Sequence, residues 1–350
     1  MRRPRRSLAT LATLVGACIL LGACSSGIAT PAPTAGGSAK PPPPLGSTQP
    51  SAASSRAPYA GAALTIPLAP GPRGVAVAGG SVWVASTIGG VIQEIDPSAG
   101  EVKREIHAGP RPVTLVTSDG LLWANVLNGD LSNDDELVQL DPASGKVLAR
   151  VTVPAFHNIA AGGGRIWSVD GSSTLYAVDP STATIASVIP DGGITIAITA
   201  DATAVWGIRA DRQAWRVPID GGERVEAPLG VAVPGRSRVA VGEERVFVAV
   251  PGSVLALDPR TLAVTARLDL SGLQLVNDLF VTDQDVWLSA HVTDPGLGLD
   301  GGSVLRLDPG TLEILATYRL GPESSGVVAD DGRLWAVDQD DDLLAGWTLP

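Results

Sequence analysis

The chain holds three histidines, His107, His157 and His291, and two cysteines, Cys18 and Cys24. Both cysteines fall within the first 24 residues, so nothing downstream can form a disulfide, a thiolate metal site or a cysteine nucleophile. Three separated histidines without a usable cysteine do not make a zinc set, although His157 or His291 alone could act as a general base. Two acidic runs, Asp130–Glu136 and Asp338–Asp342, present oxygen ligands to a cation. Neither has the spacing of an EF-hand loop, and both read as solvated acidic loops. The string Gly296-Leu297-Gly298-Leu299-Asp300-Gly301 matches GxGxxG literally. A dinucleotide site needs a helix after that turn, whereas the segment Ser303–Leu307 has the composition of a strand. These residue types predict no cofactor, no metal and no catalytic set. What they do offer is hydrogen bonding to an anionic or hydroxyl-rich ligand, through Arg73, Arg111, His157, Asn158, Asn277, Asp278, His291 and Asp300, if some element gathers them.

Such an element is legible as an internal repeat. A tryptophan or phenylalanine inside an apolar strand recurs at Trp83, Trp123, Trp167, Trp206, Phe247, Trp287 and Trp335, with spacings of 39 to 48 residues. A second motif trails the first six copies: Asp96-Pro97, Asp141-Pro142, Asp179-Pro180, Asp220-Gly221, Asp258-Pro259 and Asp308-Pro309. Asp-Pro and Asp-Gly after an apolar run stop a strand and begin a turn. Each unit therefore reads as four short strands, the first unit having them near 74–78, 82–86, 91–95 and 101–106. No segment carries a helical apolar period of useful length. Four strands repeated about every 40 residues predict an all-β, seven-bladed β-propeller over residues 62–350. The last unit supplies three strands, and Leu64-Thr65-Ile66-Pro67-Leu68 precedes the first unit. That N-terminal strand is expected to complete the last blade and close the ring. The seven aromatic residues then pack blade against blade and do not form a stacking platform.

In a propeller, the connections between blades share one face with the loops between each blade's second and third strands. Counting back from each aromatic residue places Arg73, Arg111, His157, Thr195, Ser237, Asn277 and Ser325 near the channel mouth, with Asn158 and Asp278 beside two of them. Two loops on that face are expected to be long, 125–136 and 289–302, and the second carries His291 and Asp300.

The units Gly71-Pro72-Arg73-Gly74-Val75-Ala76-Val77, Val82-Trp83-Val84-Ala85 and Ile95-Asp96-Pro97-Ser98-Ala99-Gly100 resemble the blade consensus of the YVTN and streptogramin-lyase-like propellers. The likeness covers all seven units and is one of architecture. It implies two functions: a non-catalytic binding module, or a streptogramin (virginiamycin B) lyase-like enzyme using a His and a Glu beside a divalent metal. The Asn-x-Ile-Gly-x-Ile-like repeats of the lyases are missing, and no Glu sits beside His157 or His291 in sequence. The binding module is therefore the expected function.

The N-terminus reads as an export signal. Residues 1–6 are basic and residues 8–23 are almost wholly apolar. At helical rise those sixteen residues span about 24 Å, short of a hydrocarbon core of about 30 Å. Leu21-Gly22-Ala23-Cys24 resembles the bacterial lipobox, which implies lipidation of Cys24 and a mature chain that begins there. Arg5-Arg6-Ser7-Leu8 also resembles a twin-arginine signal in part. Residues 25–61, rich in Pro, Ala, Ser, Thr and Gly, are expected to form a solvated linker. The whole chain has a net charge of −11, and loss of four arginines with the signal would leave −15, which argues against a nucleic-acid partner. The expected setting is the extracytoplasmic side of the cell membrane, with an envelope protein, a glycan or a small molecule as partner.

Overall fold

The computed structural model describes residues 57–129, 135–153, 159–170, 174–190 and 193–350. The expectations for Cys24, for nearly all of the linker and for His157 and Asn158 lie outside those residues. Every regular element is a strand, and there is no helix among the described residues.

Blade 1 comprises β2 (Pro72–Ala78), β3 (Ser81–Ser86), β4 (Val91–Asp96) and β5 (Glu101–Ile106); β1 (Leu64–Pro67) precedes it. Blade 2 comprises β6 (Pro112–Ser118), β7 (Leu121–Val126), β8 (Glu136–Leu140) and β9 (Val147–Thr152). Blade 3 comprises β10 (Ile159–Gly162), β11 (Arg165–Val169), β12 (Thr174–Asp179) and β13 (Thr184–Pro190). Blade 4 comprises β14 (Thr195–Ala200), β15 (Ala204–Arg209), β16 (Gln213–Pro218) and β17 (Val225–Pro228). Blade 5 comprises β18 (Arg238–Val241), β19 (Val246–Val250), β20 (Ser253–Leu257) and β21 (Val264–Asp269). Blade 6 comprises β22 (Leu273–Val281), β23 (Val286–Asp294), β24 (Leu299–Leu307) and β25 (Ile314–Arg319). Blade 7 comprises β26 (Ser324–Asp330), β27 (Arg333–Asp338) and β28 (Leu343–Thr348), and β1 is its fourth strand.

The expected closure is present. β1 runs antiparallel to β28 with Leu64 opposite Gly346 and Pro67 opposite Leu343. Each innermost strand packs against the innermost strands on either side, and β26 meets β2, so seven sheets form a ring around an axial channel. The second strands are buried on both faces, as a strand sandwiched between neighbouring blades must be. Their aromatic residues, Trp83 through Trp335 with Phe247, lie within the blade interfaces and none is more than 4% exposed. The innermost strands also approach one another closely. A Cβ on Gly74 would stand 2.6 Å from the Val113 carbonyl oxygen, and one on Gly326 2.4 Å from that of Arg73, so only glycine fits at either place.

The Asp-Pro turns follow one local plan. In blade 1, Asp96 Oδ1 accepts the N–H groups of Ser98 and Ala99 while its carbonyl accepts the Gly100 N–H. Asp141, Asp179, Asp258 and Asp308 repeat the arrangement. The bonded amides hold the carboxyls of Asp96, Asp258 and Asp308 below the usual aspartate range, and the Ser144 and Ser181 hydroxyls together with amides do the same for Asp141 and Asp179.

One expected loop is different. The segment 289–302 is mostly strand: β23 and β24 run to Asp294 and from Leu299, pairing Asp294 with Leu299 and His291 with Gly302. The GxGxxG string is thus the tip and return strand of a β-hairpin, with Gly298 at φ 69° in the turn. Alternation of Leu299, Gly301 and Ser303 with polar and small neighbours supports pairing, which a count of glycines hides.

Candidate site at the channel mouth

The axial channel holds a cavity of about 600 Å³. Its wall is built from the innermost strands and is of mixed polarity, with Thr114, Thr117, Thr199, Arg238 and Asp278 among the lining residues, while Val75, Leu115, Ile198, Val239 and Leu279 of the same strands pack into the hydrophobic clusters between blades. One end is ringed by charged and amide side chains. This end is the face where the innermost strands begin.

β-Bulges position the ring. The pairing of inner with second strand slips by a residue between Pro72 and Gly74, between Pro112 and Thr114, between Thr195 and Ala197, and between Val276 and Asp278. A further slip lies between Ser324 and Val327. The extra residue of a bulge leaves the ladder and its side chain is re-aimed. The bulged residues are therefore Arg73, Val113, Ile196, Asn277 and Ser325, and all five line the cavity.

A connected set of groups surrounds the mouth. The Arg236 Nη1 donates to Asn277 Oδ1 at 3.1 Å and to Glu323 Oε1 at 2.9 Å. The Arg238 Nε donates to the Asn277 carbonyl at 2.9 Å, and its Nη1 to the Ser237 carbonyl at 3.0 Å. The Asn277 Nδ2 donates to the Ser324 carbonyl at 2.6 Å. The Arg73 Nε donates to Gln339 Oε1 at 3.1 Å. Asp278 accepts the Leu279 N–H on Oδ1 and the Val327 N–H on Oδ2, each at 2.9 Å. Blades 1, 5, 6 and 7 thus meet through side chains over the channel.

The electrostatics are those of crowded cations. Burial lowers the Arg73 pKa from its ordinary value, and the positive charges of Arg236 and Arg111 lower it further against the pull of Glu323. Burial likewise lowers that of Arg238, opposed by Asp278 and reinforced by Arg73 and Arg236. Burial raises the Asp278 carboxyl, partly offset by its two amide donors and Arg238. Asp278 and Arg238 are enclosed by protein on most sides yet keep surface open to the channel water.

Of the residues expected at the mouth, Arg73, Asn277, Asp278 and Ser325 line the cavity. Arg111 acts on Arg73 through its charge but is not a lining residue. Thr195 precedes the lining residues of its blade, and Ser237 lies between the lining residues Arg236 and Arg238 without lining the cavity itself. His291 and Asp300 lie on the β23–β24 hairpin, where the Thr293 hydroxyl donates to Asp300 Oδ1 at 3.4 Å, and neither lines the cavity. Counting from the aromatic residue missed Arg236, Arg238, Glu323 and Gln339. A basic doublet around Ser237, set in Gly235-Arg236-Ser237-Arg238, was the one local signal for two of them. Among the described residues, no three His, Cys, Asp or Glu side chains are grouped to hold a metal ion.

No protein-family model matches the chain, and no curated protein matches it by sequence. Solved structures share its architecture. The computationally designed protein Ika8 superposes with a TM-score of 0.60 at 14% identity, over 81% of this chain and 99% of that one. A chain of the mitotic checkpoint complex gives 0.66 at 12% identity, over 83% of this chain and 95% of its own length. Likeness at such identities is a likeness of fold alone.

Proposed function

We propose that this chain is an extracytoplasmic lipoprotein, held to the cell membrane through Cys24, whose propeller is a non-catalytic binding module. The ligand is received at the channel mouth, and it is a small envelope molecule or an exposed group of an envelope protein or glycan. One observation carries the mouth assignment: a cavity of about 600 Å³ in the axial channel, on whose rim Arg73, Arg236, Asn277 and Gln339 converge from four blades. That size and the convergence of polar groups at the rim are characteristic of ligand sites. The lipobox-like string and the Pro-rich segment 25–61 support a tethered body at the membrane surface.

The test is cross-linking of the tagged full chain in cells, comparing wild type with an Arg73→Ala, Arg236→Ala, Asn277→Ala variant and a Cys24→Ser variant. The expected result is a captured species lost in the triple variant, and release of Cys24→Ser from the membrane fraction. Identical captures by wild type and triple variant would remove the mouth as the site. Membrane retention of Cys24→Ser would remove the lipid anchor.

A further inference from the structure

The outer rim of the ring is uneven in polarity. Eight large apolar side chains are exposed among the described residues. Four of them, Val147 and Leu148 of β9 and Ile185 and Val188 of β13, belong to the outermost strands of two neighbouring blades. Each is between 36% and 52% exposed. The other four are scattered: Ile88 and Ile194 stand in connections, and Val264 and Leu315 stand singly on β21 and β25.

Equivalent positions show what is particular to blades 2 and 3. Val188 lies opposite Tyr176, and the same place holds Glu105, Arg150, Arg267 and Thr317 in blades 1, 2, 5 and 6. The bulged residue of the outermost strand is Lys103 in blade 1 and Thr265 in blade 5, against Leu148, Ala186 and Leu315 in blades 2, 3 and 6. Charges on an exposed outer strand keep other surfaces off it. β13 carries none, and each of its residues except Ile189 is exposed. β9 contains Arg150 and follows the exposed Lys146. Neither β9 nor β13 contains a carboxylate, whereas β5, β17 and β21 do.

A plane laid against the edge of a ring touches the rims of two neighbouring blades, which is how these apolar pairs are arranged. A bilayer is such a plane, and one containing anionic lipid attracts lysines and repels carboxylates. On a chain of net charge −11, the carboxylate-free rim beside Lys146 is the side that such a surface repels least. Residues 25–56 separate Cys24 from Ala57, where the described body begins. A chain of that length reaches about 110 Å at full extension, and a domain of this size is about 50 Å across. The tether therefore lets any side of the ring meet the lipid, and the rim selects one.

We propose that the rim formed by β9 and β13 rests on the bilayer, with Leu148, Ile185 and Val188 entering the headgroup layer and Lys146 meeting anionic lipid. This rests on the anchor at Cys24 proposed above and adds the orientation of the body. The axis of the ring then runs along the membrane plane, so that the channel mouth opens sideways to envelope ligands. A few side chains orient a tethered body without holding an untethered one, so Cys24→Ser is still expected in the soluble fraction.

The experiment is lipid quenching of a fluorophore on the full chain, purified from the membrane fraction and reconstituted in vesicles of phosphatidylcholine and phosphatidylglycerol. The label is placed through Leu148→Cys, Val188→Cys or, as a control on blade 5, Thr265→Cys. The quencher is phosphatidylcholine spin-labelled on its headgroup. Quenching is expected to be several-fold stronger for Leu148→Cys and Val188→Cys than for Thr265→Cys. It should weaken in Lys146→Glu and in vesicles of phosphatidylcholine alone. Adding Ile185→Glu and Val188→Glu should bring the Leu148→Cys signal down to that of the control. Equal quenching at the three positions would overturn the inference. So would rim cysteines that resist a water-soluble alkylating reagent in cells yet escape quenching by lipid, since a protein partner or a second copy would then cover the rim. Release of Cys24→Ser with equal quenching leaves the anchor standing and removes the rim contact. Retention of Cys24→Ser with stronger quenching at the rim removes the anchor and leaves the rim contact standing.

Discussion

Trp83, Trp123 and Trp287 hold the same place in their blades and are all 0% exposed, but their indole N–H groups are treated differently. Trp83 donates to the Ala78 carbonyl at 3.0 Å, and Trp167 to the Gly162 carbonyl at the same distance. The indole nitrogens of Trp123 and Trp287 are buried without an acceptor among the described residues. A buried donor without a partner has lost its water and gained nothing, so its removal is cheap, whereas removing a bonded donor also orphans a carbonyl. Trp123→Phe and Trp83→Phe delete similar volume from similar surroundings. Trp123→Phe is therefore expected to cost about 1 kcal/mol less than Trp83→Phe, measured by urea unfolding followed by far-ultraviolet circular dichroism. Equal costs, or a larger cost for Trp123→Phe, would show that packing volume alone sets the energetics. The seven aromatic positions were legible in the sequence because strand burial repeats every blade. The acceptor of each indole was not, since the turn before the strand decides which carbonyl comes within reach.

At the level of elements, the Asp-Pro turn sets a backbone demand that the sequence meets in two ways. The fifth residue of the turn takes a left-handed conformation: Gly100 and Gly145 at φ 70° and 69°, but Ala183, Leu262 and Leu312 at φ 52°, 59° and 63°. For a residue with a Cβ that conformation costs about 1–2 kcal/mol. Leu262 and Leu312 are each 1% exposed, so burial of the side chain offsets the strain. Ala183 has only a methyl group to bury. Ala183→Gly should raise stability by about 0.5–1 kcal/mol, while Leu312→Gly should lower it by at least about 2 kcal/mol. Thermal unfolding of the two variants checks the opposite signs, and destabilisation by Ala183→Gly would refute the strain argument. The turns themselves were readable from Asp-Pro spacing. The bulges at the starts of the inner strands were not, although they recur at one place: Arg73, Val113, Ile196, Asn277 and Ser325 each stand ten residues before the aromatic residue of their blade. Arg111 and Thr195 were placed where Val113 and Ile196 stand because the count made an allowance for turn length that the bulged strands do not need. The mouth residues that were missed have a related cause. Gln339 and Glu323 come from connections that are not equivalent between blades, so the repeat carries no trace of them.

For the molecule as a whole, the ring is held shut by residues far apart in the chain. β1 supplies the ladder to β28, and the residues on either side of it add further ties. The Tyr59 hydroxyl donates to Asp341 at 2.6 Å, the Trp347 indole donates to the Ala60 carbonyl at 3.1 Å, and the Leu68 N–H donates to the Asp342 carbonyl at 2.8 Å. This closure was readable from arithmetic, since three strands at one end and one at the other complete a blade. Its energetic weight rests on Ile66, the buried residue of an otherwise open strand. Ile66 is 2% exposed and packs in a cluster with Val75 and Ile95 of blade 1 and with Val328, Trp335 and Leu344 of blade 7. Among the other outermost strands, Val151 of β9 is buried in a comparable cluster, whereas Val188 of β13 is 52% exposed. Ile66→Ala is accordingly expected to lower stability by about 2–5 kcal/mol, because the cavity opens at the seam between the first and last blades. Val188→Ala, a surface change, should stay within about 0.5 kcal/mol of wild type. Because every blade leans on two neighbours, loosening the seam should shift one cooperative transition and not split off a separate early one. Scanning calorimetry of the two variants distinguishes the cases. A wild-type midpoint for Ile66→Ala would mean that β1 decorates the last blade without locking the ring. A second, earlier transition would mean that blade 7 unfolds alone and that the closure holds only its own blade.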